Sequence, residues 1–264
     1  MNDHFSNPRP LKAVLSREFR GALMNRYFQV FATLALLGGL SAATFAEGAE
    51  ASAFFILQIV LYFVSLFALL VGVTAARAES EEWPQLFSQP VPRFAFVAGK
   101  FCAFWAIFAA VLLPLFVPAL CIGAAPRQIA LLYAQSLGLA ACFGSLGLGA
   151  GFAARDRVQG LVFGVGAWLT LLFGIDLIAL FAAHWPAFQK LPGLWVAGLM
   201  LNPLDAFRID ALFSMEQIPA EAASKAGLAH WWIAHTGLWF ALLCTGWTAT
   251  LLLFAGRRLS LWED

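Results

Sequence analysis

Charged side chains are scarce in this chain. Asp, Glu, Lys and Arg make up 12% of its residues, against about 25% in an average soluble domain. Hydrophobic residues make up 61%, and the net charge of +1 gives no reason to expect the clustered basic face that nucleic-acid binding requires. The composition therefore predicts an integral membrane protein with no nucleic-acid partner.

Cysteine is rare and ungrouped. The four cysteines lie in apolar stretches without a Cys-x-x-Cys pair, which argues against a disulfide framework and against a soft-metal relay. We expect Cys102, Cys121, Cys142 and Cys244 to be buried thiols that pack as small apolar groups. Other soft or imidazole ligands also lack metal-ligand spacing, so no metal site is expected at His184, His230, His235, Met200 and Met215.

A nucleotide-binding loop is missing as well. The pattern Gly-x-x-x-x-Gly-Lys-Ser/Thr is not met at the Gly99-Lys100 pair, because Phe94 stands where the first glycine is required and Phe101 follows the lysine. We therefore expect no ATP hydrolysis and no cofactor on this chain. If the protein is energised by ATP, a separate polypeptide binds the ATP and Mg²⁺.

Six apolar stretches each have the roughly 20 residues that cross a hydrocarbon core of about 30 Å. We predict spans at 27–46, 53–76, 101–123, 129–152, 158–183 and 236–255, forming one all-α membrane domain over residues 1–264. The first stretch lacks the cleavage site of a signal peptide, so it is expected to remain. Twelve of the sixteen Lys and Arg residues fall on one side of these spans, which predicts cytoplasmic N and C termini.

A short amphipathic helix is predicted before the first span, at residues 10–24. Leu11, Leu15 and Phe19 share one helical face, whereas Lys12 and Arg20 lie on the other. Such a helix lies in the membrane interface with its basic side toward anionic headgroups. An ordinary juxtamembrane anchor is the alternative interpretation.

Glycines are dense in the fourth and fifth spans. Gly147 with Gly151, and Gly160 with Gly164, have the small-xxx-small spacing that lets helix backbones approach closely in a membrane. This pattern predicts tight helix packing, either within the subunit or against a second copy.

One carboxylate interrupts a predicted span. Asp176 lies about seven residues from the outer end of the fifth span, and ionisable residues inside membranes are costly enough to suggest a function. At 1.5 Å per residue its depth is only about 10 Å, where a water-filled vestibule could solvate it. A structural or vestibule role and a role in substrate contact or proton handling both stay open.

The outer segment between the fifth and sixth spans covers residues 184–235, far more than a helix connection needs. Its apolar piece at 191–201 is too short to cross, so we expect a re-entrant or interfacial segment that breaks at Asn202-Pro203. Asp205 is expected to cap or begin a short helix carrying Arg208. Asn202, Pro203, Asp205 and Arg208 are therefore functional candidates, unless Asn-Pro-x-Asp is only a helix start.

The layout resembles type 2 ABC transporter permeases. The shared features are six spans, a basic amphipathic helix before the first, a cytoplasmic connector Ala78-Glu-Ser-Glu-Glu…Gln-Pro-Val-Pro-Arg93…Gly-Lys-Phe101, and a re-entrant outer segment. Within that family, Leu201-Asn-Pro-Leu-Asp-Ala-Phe-Arg208 is similar to the permease that serves maturation of the copper enzyme nitrous oxide reductase.

This resemblance implies a homodimeric permease in the inner (cytoplasmic) membrane of a bacterium. Its partners would be a separate cytoplasmic ATPase and a periplasmic accessory protein. The connector at 77–100 would form a coupling helix that docks on the ATPase. The sequence departs from the family at Glu82-Trp-Pro84 and Gln85-Leu-Phe87, where relatives carry a Gly-Thr pair and a Glu-Leu-Leu run. The residues that match the contact are Glu79, Glu81, Glu82, Pro90 and Arg93.

Two other classes are weighed against a permease. An intramembrane serine protease would pair Ser145 with His235, but Ser145 lies about 24 Å down its helix from the outer edge where His235 lies, and these groups must approach within about 3 Å. A secondary transporter working without an ATPase is the stronger alternative. Such proteins tend to carry charges or helix breaks near the bilayer midplane in both halves, and here Pro114 and Pro118 have no counterpart in a second half.

Overall fold

The fold comes from a computed structural model, which describes residues 26–78, 93–182, 184, 192–215 and 228–260. Every regular element in these ranges is helical, as the apolar composition predicts. The helices, in chain order, are α1 (Arg26–Phe45), α2 (Ala49–Ile59, a π-helical turn at Val60–Val64, then Ser65–Arg77), α3 (Arg93–Cys121), α4 (Pro126–Ala153), α5 (Arg157–Leu169, a π-helical turn at Thr170–Gly174, then Ile175–Ala182), α6 (Pro192–Leu201), α7 (Pro203–Ser214), α8 (Leu228–Ala234) and α9 (Thr236–Ser260).

The six predicted spans are confirmed within the described ranges. Helices α1, α2, α3, α4, α5 and α9 are each long and apolar enough to cross a membrane. The predicted limits were wrong for α3, which begins at Arg93 rather than 101. The polar residues before 101 do not end the helix, because Lys100 is buried and its ammonium lies 5.0 Å from the centre of the Phe96 ring. A lysine can continue an apolar helix when its stem packs and its charge meets an aromatic face.

Helix α4 is central and packs against α2, α3, α5 and α9, while α1 packs on α3 and α2. The closest crossing joins α4 to α2. A Cβ placed on Gly151 would lie 2.6 Å from the Ala76 Cβ, and one placed on Gly147 would overlap the carbonyl oxygen of Leu69. The predicted glycine pattern therefore serves packing within the subunit. Gly160 and Gly164 of α5 also face α2, through the side chains of Val73 and Leu69.

The two π-helical turns lie in neighbouring helices. The indole N–H of Trp168, just before the turn in α5, donates to the hydroxyl of Ser65, just after the turn in α2, at 2.9 Å. Both turns contact the short helix α7. π-helical turns inside α-helices are rare and occur often at functional sites, which directs attention to α7.

Candidate functional site

Helices α6 and α7 are separated by a single residue, Asn202, which is 2% exposed. The last carbonyls of α6 would lack partners at this break, but two tryptophans of α9 reach them. The indole N–H of Trp239 donates to the Met200 oxygen at 2.8 Å, and that of Trp247 donates to the Leu201 oxygen at 3.3 Å. The predicted break at Asn202-Pro203 is therefore real and is held by the last span.

The Asn202 side chain makes three hydrogen bonds. Its oxygen accepts from the Leu204 backbone N–H at 3.2 Å and so caps α7, while Pro203 occupies the first helical turn, where its missing N–H costs nothing. Its amide nitrogen donates to the Leu171 carbonyl at 2.7 Å and to the Asp205 carboxylate at 2.6 Å. Leu171 belongs to the π-helical turn of α5, so one side chain joins α7 to that turn.

Asp205 lies at the beginning of this helix, as one form of the prediction had it, but it is not the capping residue. Asn202 is the capping residue, and Asp205 lies in the first turn, 7% exposed. Both residue types are good caps, so the sequence did not separate them. The short amide of Asn202 is the group that reaches the Leu204 backbone N–H.

Three other predicted candidate residues, Asn202, Arg208 and Asp176, act on the carboxyl group of Asp205. Burial raises the pKa of its carboxyl group, the Asn202 hydrogen bond opposes that shift, the charge of Asp176 adds to it, and Arg208 opposes it. The structure thus brings Asn202, Asp205, Arg208 and Asp176 into one neighbourhood. Asp176 itself is exposed near the end of α5.

A second buried carboxylate, which the sequence analysis missed, lies five residues further along α7. Asp210 is 4% exposed and accepts a hydrogen bond from the amide nitrogen of Gln135 in α4 at 2.9 Å. Thr236, at the start of α9, also donates to it. Burial raises the pKa of Asp210, and both hydrogen bonds oppose the shift. The oxygen Oε1 of Gln135 is buried without a partner.

Two signals in the sequence point to this pair. Gln135 is an amide within a predicted span, and buried polar groups need partners. Asp210 follows Asp205 on a helix too short to cross the membrane. Their contact joins residues 75 positions apart, so no local spacing reveals it.

These contacts clamp α7 to three spans. Asn202 binds α5, Gln135 of α4 and Thr236 of α9 bind Asp210, and Trp239 of α9 binds the end of α6. We call this set the α7 clamp. Satisfied polar networks in a low-dielectric interior fix one arrangement of the helices that carry them. A shift of α4, α5 or α9 would therefore be passed to α7.

The predicted coupling connector lies largely outside the described residues, and this includes Glu79, Glu81, Glu82 and Pro90. Its two ends are described. Arg77 Nε donates to the Gly151 carbonyl at 2.8 Å, near the end of α4, and Arg93 Nη1 donates to the Ser260 carbonyl at 3.1 Å, at the end of α9. Arginine side chains thus join both ends of the connector to the last turns of α4 and α9, the ends remote from α7.

The cysteines only partly follow expectation. Cys142 and Cys244 are buried, and the Cys142 thiol lies 3.6 Å from the Cys244 carbonyl oxygen. Cys102 and Cys121 are exposed on α3, so the expectation of buried thiols was wrong for them. Within the described ranges, no three His, Cys, Asp or Glu side chains are grouped to hold a metal ion.

The protease pairing has no geometric support in the described residues. The Ser145 hydroxyl donates to the Cys142 carbonyl of its own helix at 2.8 Å. His235 is exposed, its Nδ1 lies 2.9 Å from the Trp231 carbonyl oxygen, and its ring stacks on that of Trp231. Each polar group is occupied within its own helical segment.

The raised pKa values of Asp205 and Asp210 predict a pH dependence of stability. The folded protein keeps protons that the unfolded chain releases near the ordinary value of 3.8. Stability is therefore expected to fall as pH rises from that value through the raised folded values, and to level off above them. Melting temperatures in detergent, measured from about pH 4 to about pH 8, should show this decline.

Substitution of the two buried aspartates tests whether they cause the fall of stability with rising pH. Asp205→Asn and Asp210→Asn should each flatten it, and Asp176→Asn should flatten it partly, because it removes the repulsion acting on Asp205. Glu47→Gln, at an exposed glutamate between α1 and α2, is the control and should leave the profile unchanged. Unaltered profiles in both buried-aspartate variants would contradict the assignment.

No family model and no curated protein matches this chain. The class of protein is given by the fold, since six long apolar helices identify a multi-pass membrane protein. Its site is the α7 clamp, which reaches from Thr236 at the start of α9 to Leu171 near the middle of α5.

Proposed function

We propose that this chain is the membrane subunit of an ATP-driven transporter of the ABC type 2 class. It works as a homodimer in the inner membrane of a bacterium, with its termini in the cytoplasm. A separate ATPase docks on the connector at 77–100. The chain passes the resulting movement to the outer segment, which exports a substrate or acts mechanically on a periplasmic accessory protein. The similarity of 201–208 to the nitrous oxide reductase system extends this proposal to maturation of a copper enzyme.

The observation that carries the proposal is that α4 and α9 each contact an end of the connector at one point and the α6–α7 segment at another. Arg77 binds α4 at Gly151, and Gln135 of the same helix binds Asp210 of α7. These two points are about 24 Å apart at 1.5 Å per residue. Arg93 binds the end of α9, whose Trp239 binds the end of α6. Rigid helices with fixed contacts at both ends are suited to carry a displacement across a membrane.

Reversing the charge of the connector tests the docking step. In the triple variant Glu79→Lys, Glu81→Lys and Glu82→Lys, we expect the ATPase that co-purifies with the wild-type chain to be lost by about tenfold or more. Charge-assisted hydrogen bonds each contribute about 1.5 to 3 kcal/mol, and the variant replaces attraction by repulsion. The measurement is the amount of ATPase retained on the tagged chain after solubilisation of native membranes.

The matched control reverses acidic residues elsewhere. Glu47→Lys with Glu50→Lys changes two exposed residues, one in the turn between α1 and α2 and one in the first turn of α2, and should retain the ATPase. Unchanged retention in the connector variant would contradict the docking site. A wild-type preparation without any ATPase would contradict the whole proposal.

The buried carboxylates of α7 favour a second candidate, a secondary transporter that works without an ATPase. Burial raises the pKa of Asp205 and of Asp210, and the charge of the exposed Asp176 adds to the pKa shift of Asp205. Such groups serve as proton carriers in transporters. Uptake by proteoliposomes that contain this chain alone would favour that candidate over the first.

A further inference from the structure

A long groove lies between α3, α4 and α9, with a volume of about 1160 Å³. Its walls are almost entirely apolar and include Phe101, Trp105 and Phe240. It follows α9 from Gly237 to Leu253, a rise of about 24 Å at 1.5 Å per residue. That length approaches the hydrocarbon thickness of about 30 Å, so the groove can hold an extended chain along the membrane normal.

One end of the groove is polar, and one of its acceptors, Gln135 Oε1, has no donor. Asp210 and Gln135 line this end. The Asp210 carboxylate receives hydrogen bonds from Gln135 and Thr236, but no lysine, arginine or histidine among the described residues lines the groove. The oxygen Oε1 of Gln135, a side chain that is 9% exposed, has no partner. A buried acceptor without a donor is costly, so this end is built for a group that brings N–H donors and positive charge.

We infer that the groove binds a membrane lipid with a primary ammonium headgroup. Its N–H groups donate to the Asp210 carboxylate and to Gln135 Oε1, and one acyl chain lies along α9. A choline headgroup has the charge but no N–H, and an anionic headgroup is repelled by the carboxylate. This inference is independent of the proposed function, because it concerns binding that needs no ATPase.

A lipid fits the position of the groove better than a second protein copy does. Leu131 and Leu253 on its rim are exposed, as expected for side chains that meet acyl chains. The indole N–H of Trp105 is already bonded to the Leu137 carbonyl at 3.2 Å. The unpartnered oxygen of Gln135 and the negative charge of Asp210 therefore favour a cationic donor, and lipid headgroups supply one at high local concentration.

Headgroup selectivity is the direct test. The full chain is placed in nanodiscs containing equal amounts of phosphatidylethanolamine and phosphatidylcholine with the same acyl chains, then released into detergent, and retained lipid is counted by native mass spectrometry. We expect the ethanolamine lipid to be retained about tenfold over the choline lipid, which corresponds to about 1.4 kcal/mol. Equal retention would overturn the inference.

Variants separate the headgroup contact from the rest of the groove. Asp210→Asn keeps the shape and removes the charge, and Gln135→Lys supplies an internal ammonium, so both should bring the two lipids to parity. Thr245→Ala is the control, because Thr245 lines the groove but its hydroxyl donates to the Ala241 carbonyl at 2.8 Å. It should keep the wild-type preference. Wild-type preference in monodisperse Asp210→Asn protein would overturn the headgroup contact.

Two further variants are needed. One tests the groove if the polar variants do not fold, and the other tests whether a second copy of the protein occupies the groove in place of a lipid. If the polar variants do not fold, Ala249→Trp is used, because the larger side chain fills the apolar part of the groove. This variant should abolish retention of the ethanolamine lipid. Persistent retention would overturn the site. Ala249→Cys, in a background with Cys102→Ser and Cys121→Ser, reports a second copy seated in the groove. Efficient disulfide formation between copies would overturn the lipid assignment, and its absence supports it.

Discussion

Replacing Gly147 with alanine is expected to loosen the packing of α4 on α2 and to lower the free energy of unfolding by about 1 to 3 kcal/mol. The added Cβ would overlap the Leu69 carbonyl oxygen and lie 2.9 Å from the Val73 backbone nitrogen. Neither atom belongs to a side chain that can turn away, so the two helices must move apart. Chemical denaturation in mixed micelles measures the loss.

The chain offers a matched control for this change. Gly246 lies in α9, another membrane-crossing helix, and a Cβ placed on it meets no atom within 4 Å. Gly246→Ala should be neutral or slightly stabilising, because alanine has the higher helix propensity. Equal destabilisation by the two substitutions would show that the cost is a general property of glycine in these helices. The close approach of α4 to α2 would then not be the reason why Gly147→Ala destabilises the protein.

Replacing Asn202 is expected to have the second large effect. Asn202→Ala removes the cap of α7, which contributes about 1 kcal/mol. It also leaves the buried Asp205 carboxylate without its amide donor, which costs about 1 to 3 kcal/mol more. On the proposed function, we expect transport or maturation activity to be lost while the ATPase stays bound, since Arg77 and Arg93, at the two ends of the connector, contact the last turns of α4 and α9. Activity and ATPase retention are measured on the same preparation.

A conservative variant separates capping from clamping. Asn202→Asp keeps a good capping oxygen but loses the donor to Leu171 and places a second carboxylate against Asp205. If the residue acted only as a cap, this variant would behave as wild type. We expect it to be worse than Asn202→Ala, because the contact with the π-helical turn is lost and repulsion is added. Asp176→Asn, at an exposed carboxylate nearby, should change stability little.

The sequence predicts the spans well because the length of an apolar run is a direct physical requirement of the bilayer. The break at Asn202-Pro203 is also predictable, since proline and a capping side chain are local signals. The start of α3 was missed, because Lys100 packs on the ring of Phe96 one turn earlier in the same helix, and a search for apolar runs gives no weight to such a pair. The capping residue was misassigned because aspartate and asparagine have similar propensities.

The candidate site is predictable only in part. Asn202, Pro203, Asp205 and Arg208 stand close together in the sequence, so their grouping follows from one helix. The contact of Asp210 with Gln135 and the bond from Asn202 to Leu171 join distant segments, and only the packing of α7 on α4 and α5 reveals them. The glycine pattern predicts close packing, but its partner helix emerges only from the fold.

The π-helical turns at Val60–Val64 and Thr170–Gly174 place more residues in one turn of α2 and one turn of α5 than regular α-helical geometry needs. Each turn holds more residues than an α-helical turn of 3.6. Rewinding it to α-helical geometry would rotate everything beyond it by about 100° per residue taken up. The Leu171 carbonyl lies inside one of these turns, so such a rotation would pull it away from Asn202. The half of α5 beyond the turn would then rotate without any bending of the half before it, and the hydrogen bond from Asn202 to Leu171 opposes that rotation.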